Sequence, residues 1–341
     1  MTATVGKSHR NLALDFTKGA LVLIMVLYHW LNYFVSPSGD MYKYLRFLTP
    51  SFICITGFLI SSAYLSKYGA ADPKLMKRLI QRGLKILGAF VVLNVAIRIL
   101  FPTVLTWNSL FGRSSIANWL AIFITGNVAV DGSSKVAAFY ILVPISYLLM
   151  LSAGLMIVRR FYQHTFHATF AICLTGILIL SLNGMESGNL ELLAIGLLGV
   201  MLGHIPVEKI DEFIRHPFLL VAAYLAYVSA ITIWDVVYPL QIVGVCLSLM
   251  LIYRLGAGRG QPGTIRRQVI LLGKYSLFGY IVQIAILQFL RRGFQYVHLG
   301  SVVLEVSFFA AFALTIIMVV VLDRARAKST TVDGLYKAVL A

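Results

Sequence analysis

Long apolar runs, broken by short segments bearing charge, Pro or Gly, dominate the pattern along this chain. In order they predict helices over residues 12–35, 44–66, 84–101, 135–158, 166–183, 189–205, 218–234, 238–254, 269–290 and 301–322. Each approaches the about 20 residues that cross about 30 Å of hydrocarbon, and none alternates polar with apolar residues as a barrel strand does. A further run, 116–126, is too short to cross and reads as a re-entrant or interfacial helix. The pattern predicts an all-α polytopic membrane protein of about ten transmembrane helices. An integral membrane domain would occupy residues 1–323 and a short tail residues 324–341.

Composition sharpens this. Of 341 residues, 59% are apolar and only 12% charged, about half the charged share of a soluble domain. A soluble enzyme, a disulfide-knit secreted domain and a disordered chain are excluded. Cys54, Cys173 and Cys246 fall inside apolar runs and read as packing residues. The net charge of +16 raises nucleic acid as a partner, but its distribution argues otherwise. With an even number of spans and the N-terminus inside, 22 of the 29 Lys and Arg lie in cytoplasmic segments. That bias is the positive-inside pattern, so both termini and the tail are expected in the cytoplasm, and no nucleic acid is expected. The first run follows Lys7, Arg10 and Lys18 as a signal peptide would. It is long for one and lacks a small-residue cleavage site, so it reads as a retained helix.

Candidate chemistry concentrates on that first helix. Eleven steps of about 100° return His29 to the face of Lys18, and Asp15 stands three residues before Lys18. Tyr33 follows one turn beyond His29. At 1.5 Å per residue His29 lies about 16 Å from Lys18, near mid-membrane. Each residue also has a plainer role. Asp15 and Lys18 make an interfacial ion pair with the ammonium snorkelling, and a lone His serves as an interhelical hydrogen-bonding group. The shared face favours function, since ionisable groups at that depth are functional by default and imidazole suits general-base work near neutral pH. His204 and Glu208 have ligand spacing, but two groups at a helix end make no metal site, so no metal is expected.

The stretch Leu14-Asp15-Phe16-Thr17-Lys18-Gly19, then ten residues between Lys18 and His29, then Phe52-Ile-Cys-Ile-Thr56-Gly57-Phe58-Leu59-Ile60-Ser61, resembles the acyltransferase-3 family of membrane O-acyltransferases. Leu272-Gly273-Lys274-Tyr275-Ser276 before Tyr280 is similar to the family's Gly-Lys-x-Ser segment. Lys18 stands where the family usually has Arg, Thr56 where Ser is common, and Gln283 where many members have a late His. The resemblance implies acyl-coenzyme A, acetyl-CoA above all, as donor substrate, with no permanently bound cofactor. It implies a carbohydrate hydroxyl as acceptor. It also gives meaning to the basic stripe Arg78, Arg82 and Lys85, whose plainer role is contact with anionic membrane lipid. Arg82-x-x-Lys85 is a relaxed form of a family Arg-x-x-Arg motif.

On this reading Lys18, Arg78, Arg82 and Lys85 hold the donor's phosphates at the cytoplasmic edge of an inner membrane. The donor's arm runs along the first helix, and His29 acts as base or transiently carries the acyl group. Asp15 is the second catalytic candidate and more plausibly orients Lys18 than His29. Tyr33, Arg46 and Thr56 are the substrate-side candidates. Weaker outer-face candidates are Arg46, Arg98, Arg113, Asp131, Glu186, Arg291 and Arg292, alongside Trp107, Trp119 and Tyr296, whose rings an aromatic belt explains equally well. The competing class is a carrier or flippase for a lipid-linked saccharide, with His29 coupling protons.

Overall fold

The computed structural model describes residues 11–36, 39–68, 72–100, 113–126, 139–159, 161–214, 216–234, 236–258, 263–294 and 302–340, and among them there is no strand. Helix α1 spans Leu12–Trp30. Asn11 caps it, its Oδ1 accepting the Leu14 amide at 3.0 Å while its Nδ2 donates to the Tyr253 hydroxyl at 3.1 Å. From Leu31 to Val35 the winding loosens to a π-helical turn. Then come α2 (Leu48–Leu59), extended by a second π segment over Ile60–Leu65, and α3 (Pro73–Leu100). After these come α4 (Arg113–Ile124), α5 (Leu142–Arg159), α6 (Thr165–Leu182), α7 (Gly188–Leu202), the short α8 (Val207–Phe213), α9 (Pro217–Ile233) and α10 (Tyr238–Gly256). The chain closes with α11 (Thr264–Lys274), α12 (Ser276–Phe294), α13 (Val302–Lys328) and α14 (Thr330–Val339).

Seven helices of the described residues are long and apolar enough to cross a membrane, or eight if the bent pair α11 and α12 is one span. Two shorter apolar helices, Gly188–Leu202 and Pro217–Ile233, accompany them. The protein is a polytopic helical membrane protein.

Two expected spans differ in form. The continuous helix expected over 269–290 breaks at Tyr275, and α11 and α12 meet at 94°. Beside the break Lys274 Nζ and the Tyr275 hydroxyl both donate to Asp323 Oδ1, at 2.8 and 2.6 Å. These bonds tie the corner to α13. The helix expected to open at 84 begins at Pro73. Asp72 Oδ1 accepts the Lys74 amide at 2.8 Å, and Pro at a first helical position costs no hydrogen bond. The expected start at 135 falls outside the described residues.

The chain divides into two compact units. The first comprises Met1–Leu45, Phe213–Asp235 and Cys246–Lys328. Its framework is α1 packed against α11, α12 and α13. A Cβ on Gly19 would lie 1.8 Å from the Val269 carbonyl oxygen, and one on Gly273 1.6 Å from that of Asp15. Glycine on both sides is what lets α1 and α11 touch backbone to backbone, the close approach that small residues give membrane helices. Further along α1, Val26 packs with Leu287 and Ala311, and Trp30 Nε1 donates to Ser307 Oγ at 2.9 Å.

The second unit comprises Arg46–Glu212, Val236–Val245 and Ser329–Ala341. Here α2 crosses α7 on a similar glycine seam. Cβ atoms on Gly57, Gly199 and Gly203 would lie 2.0, 2.1 and 2.4 Å from the carbonyl oxygens of Gly196, Cys54 and Phe58. Helix α3 packs on α5, with Gly83 facing Met150 and Ser146.

Candidate active site

The N-terminal half of α1 carries an ion pair. Lys18 Nζ lies 2.7 Å from Asp15 Oδ1, with side chains 17% and 5% exposed. The i,i+3 spacing makes the pair, and the seam with α11 holds it, because Asp15's carbonyl is the atom Gly273 admits. A pair this enclosed adds little net stability, yet removing one partner strands a buried charge. The ammonium has three donors and this pair uses one, so Lys18 can still meet an anion.

Fourteen residues on, about 21 Å along the axis, His29 closes the regular part of α1. Asp15 therefore acts on Lys18 and does not touch the imidazole. The His29 ring contacts Tyr28 edge-on at 5.2 Å between centroids and faces Tyr280 of α12 at 6.3 Å. Its Nε2 is buried and has no hydrogen-bond partner among the described residues. An imidazole serving as an interhelical tie would spend that nitrogen on a neighbour. His29 Nε2 makes no such tie among the described residues.

The π turn begins two residues after His29, so Tyr33 does not simply stack one α-turn above it. Instead its hydroxyl accepts a hydrogen bond from Gln288 Nε2, and the Arg291 guanidinium lies 5.7 Å from its ring. π turns recur at functional sites because they re-aim the side chains that follow.

The second unit holds the basic stripe. Arg78 Nη1 donates to the Tyr68 hydroxyl at 2.8 Å and lies over the Tyr64 ring, and Arg82 Nη1 donates to the Tyr64 hydroxyl. Lys85 Nζ donates to the Lys337 carbonyl of α14 at 3.2 Å. Both guanidinium groups are thus held by tyrosines, Tyr64 in the π segment and Tyr68 in the helical turn after it, a stretch that also carries Ser62 and Ser66. Those serines, with Ser61, Arg159 and His204, line a cleft of about 440 Å³. Within it Arg159 Nη1 donates to His204 Nε2 at 2.9 Å, and His204 Nδ1 donates to the Val200 carbonyl at 2.9 Å. Desolvation holds this imidazole below its ordinary value. Thr56 donates its hydroxyl to the Phe52 carbonyl of its own helix at 2.8 Å, and Arg46 is exposed.

The structure thus joins Asp15 with Lys18 in one unit and places Arg78 and Arg82 on partnered tyrosines in the other. Trp107, Asp131 and Tyr296 lie outside the described residues, as do the side chains of Arg98, Arg113 and Glu208. Among the described residues no three His, Cys, Asp or Glu side chains gather as metal ligands. Sequence reasoning missed Tyr64, Tyr68 and Gln288, which are ordinary residues of apolar helices until packing pairs them, and it named Tyr280 only as the end of the Gly-Lys-x-Ser segment.

Near its end the apolar helix α1 thus carries a half-buried imidazole whose Nε2 has no hydrogen-bond partner among the described residues. Residues 11–323 match the acyltransferase domain of the acyltransferase-3 family. The chain belongs to that family and is a membrane acyltransferase. No curated protein and no solved structure matches it.

Proposed function

We propose that this protein is an inner-membrane O-acyltransferase that moves an acyl group, acetyl with succinyl as the variant, from cytoplasmic acyl-CoA to a carbohydrate hydroxyl at the outer face. The observation that carries this reading is the uncommitted Nε2 of His29 in a member of an acyltransferase family. Neutral His29 takes the proton of the acceptor hydroxyl as its oxygen attacks the thioester carbon. The C–O bond forms, the C–S bond breaks, and the departing thiolate takes the proton from the imidazolium. Asp15 is a positioning residue that fixes Lys18. Lys18, Arg78, Arg82 and Lys85 receive the donor's phosphates, and Arg46, Tyr33 and Thr56 serve the acceptor side. The arrangement presumes ten spans, with α11–α12 counted as one, and both termini in the cytoplasm. Family membership favours acyl transfer over the saccharide-carrier reading.

The test is mass spectrometry of periplasmic and surface glycans from cells with the protein, without it, and with His29→Gln. The first should carry an acetyl or succinyl increment and the other two should lack it. Glycans that are identical in all three would overturn the reading.

A further inference from the structure

Gln283 sits on α12 with no exposure, and neither atom of its carboxamide has a hydrogen-bond partner among the described residues. Exchanging O and N in the assignment changes nothing, because both are unpaired. Leaving a buried polar atom unpaired costs stability, and a leucine of similar size would avoid the cost. Among the described residues Gln283 is the one whose two side-chain polar atoms are both buried and unpartnered, which makes it a position where a ligand can supply the partner.

Its surroundings point to which ligand. Residues 279, 283 and 287 form one i,i+4 ridge of α12. At one end a Cβ on Gly279 would lie 3.2 Å from Val22 Cγ1, and at the other Leu287 packs with Val26. Both ends therefore meet α1, and Gln283 is the middle of the ridge. Three residues before it Tyr280 faces the His29 ring, and five residues after it Gln288 donates to Tyr33. Of the neighbouring hydroxyls, Thr56 gives its hydrogen to the Phe52 carbonyl, and Tyr33, in the π turn that follows His29, accepts from Gln288.

We propose that Gln283 is the oxyanion donor of the acyl-transfer centre, its side-chain N–H meeting the thioester carbonyl oxygen while His29 handles the proton. This rests on the acyltransferase reading above. As the acceptor oxygen attacks, the carbonyl π electrons move onto oxygen, and the amide N–H stabilises that charge. When the C–S bond breaks the carbonyl re-forms and the hydrogen bond weakens. A donor fixed in a dry site contributes most where charge develops, so it acts on kcat more than on KM.

The experiment compares Gln283→Leu, Gln283→Met and His29→Gln with the parent in proteoliposomes, with acetyl-CoA as donor and the acylated glycan as readout. Gln283→Leu should lower kcat by about 10²–10³-fold with KM for acetyl-CoA changed less than about threefold. Its melting temperature in detergent should equal or exceed the parent's, which a purely structural glutamine would not allow. Should the Leu variant fail to insert, the Met variant, unbranched and equally without a donor, carries the same expectation. A kcat within about threefold of the parent in either folded variant, or a split that falls on KM, overturns the assignment. His29→Gln separates the two claims. If it stays active the base reading fails, whereas if it is dead and the Gln283 variants are active only the oxyanion assignment fails.

Discussion

Gly19→Ala tests whether the α1–α11 seam positions the catalytic helix. The new methyl carbon would lie 1.8 Å from the Val269 carbonyl oxygen, 2.8 Å from its carbon and 2.9 Å from the Gly273 nitrogen. All three are backbone atoms, so no rotamer change relieves the clash. Ordinary contact begins at 3.4 Å, so the helices must part by about 1.6 Å, and even a 0.5–1 Å gap forfeits about a quarter to a half of each dispersion contact. Overpacking of this kind costs about 1–3 kcal/mol, offset by up to about 1 kcal/mol from alanine's better helix propensity. The larger effect falls on chemistry. A misplacement of about 1 Å costs about 10²-fold in rate, and α11 leads directly into α12, which carries Tyr280. Acyl transfer should fall at least about 30-fold in protein that still inserts. Gly88→Ala, whose Cβ meets nothing within 4 Å, should leave rate and melting temperature unchanged or slightly raised. Equal activity and melting for Gly19→Ala and the parent would refute the seam's role.

Arg82→Ala should raise KM for acetyl-CoA about 10-fold or more and leave kcat within about threefold, as expected for a charged hydrogen bond to phosphate. Unchanged donor affinity, measured by titration calorimetry, would remove the phosphate edge. Tyr64→Phe should do the same more weakly, since it only frees Arg82 to wander. Asp323→Asn should lower unfolding stability by under about 1 kcal/mol, because the Lys274 pair is about a third exposed and screened; a loss several times larger in chemical denaturation would contradict that. His204 is held below the ordinary 6.5 by desolvation, so the unfolded chain takes up its proton first as pH falls. Its stabilising share is complete above pH 6.5 and disappears as pH drops through the folded value. Melting curves from pH 7.5 to 5 should show the parent losing more than His204→Gln, and parallel curves would refute this.

The helices and the polar face of α1 were legible because both depend on local pattern. Apolar run length marks the spans, and eleven residues at 100° put Lys18 and His29 on one face whatever surrounds them. The Asp15–Lys18 pair was legible for the same reason, being an i,i+3 contact. What escaped depends on partners distant in sequence. The 94° corner at Tyr275 is tied to Asp323, 48 residues later, and nothing in the apolar run 269–290 announces it. The π turn after His29 follows no residue signature, so an α-helical extrapolation misaims Tyr33. Gly19 and Gly273 were visible in the motifs, but their reciprocal contact appears only once α1 and α11 are packed. Gln283 looked like a departure from a family pattern, and only its enclosure without partners marks it as a candidate donor.

The most direct measurement is acyl transfer in proteoliposomes with labelled acetyl-CoA on the side bearing the termini and the glycan acceptor on the other, comparing the parent with His29→Gln. The account predicts labelled ester on the acceptor with the parent. With His29→Gln it predicts none, while that variant still binds acetyl-CoA with parental affinity. Label transferred at the parental rate by His29→Gln would contradict it.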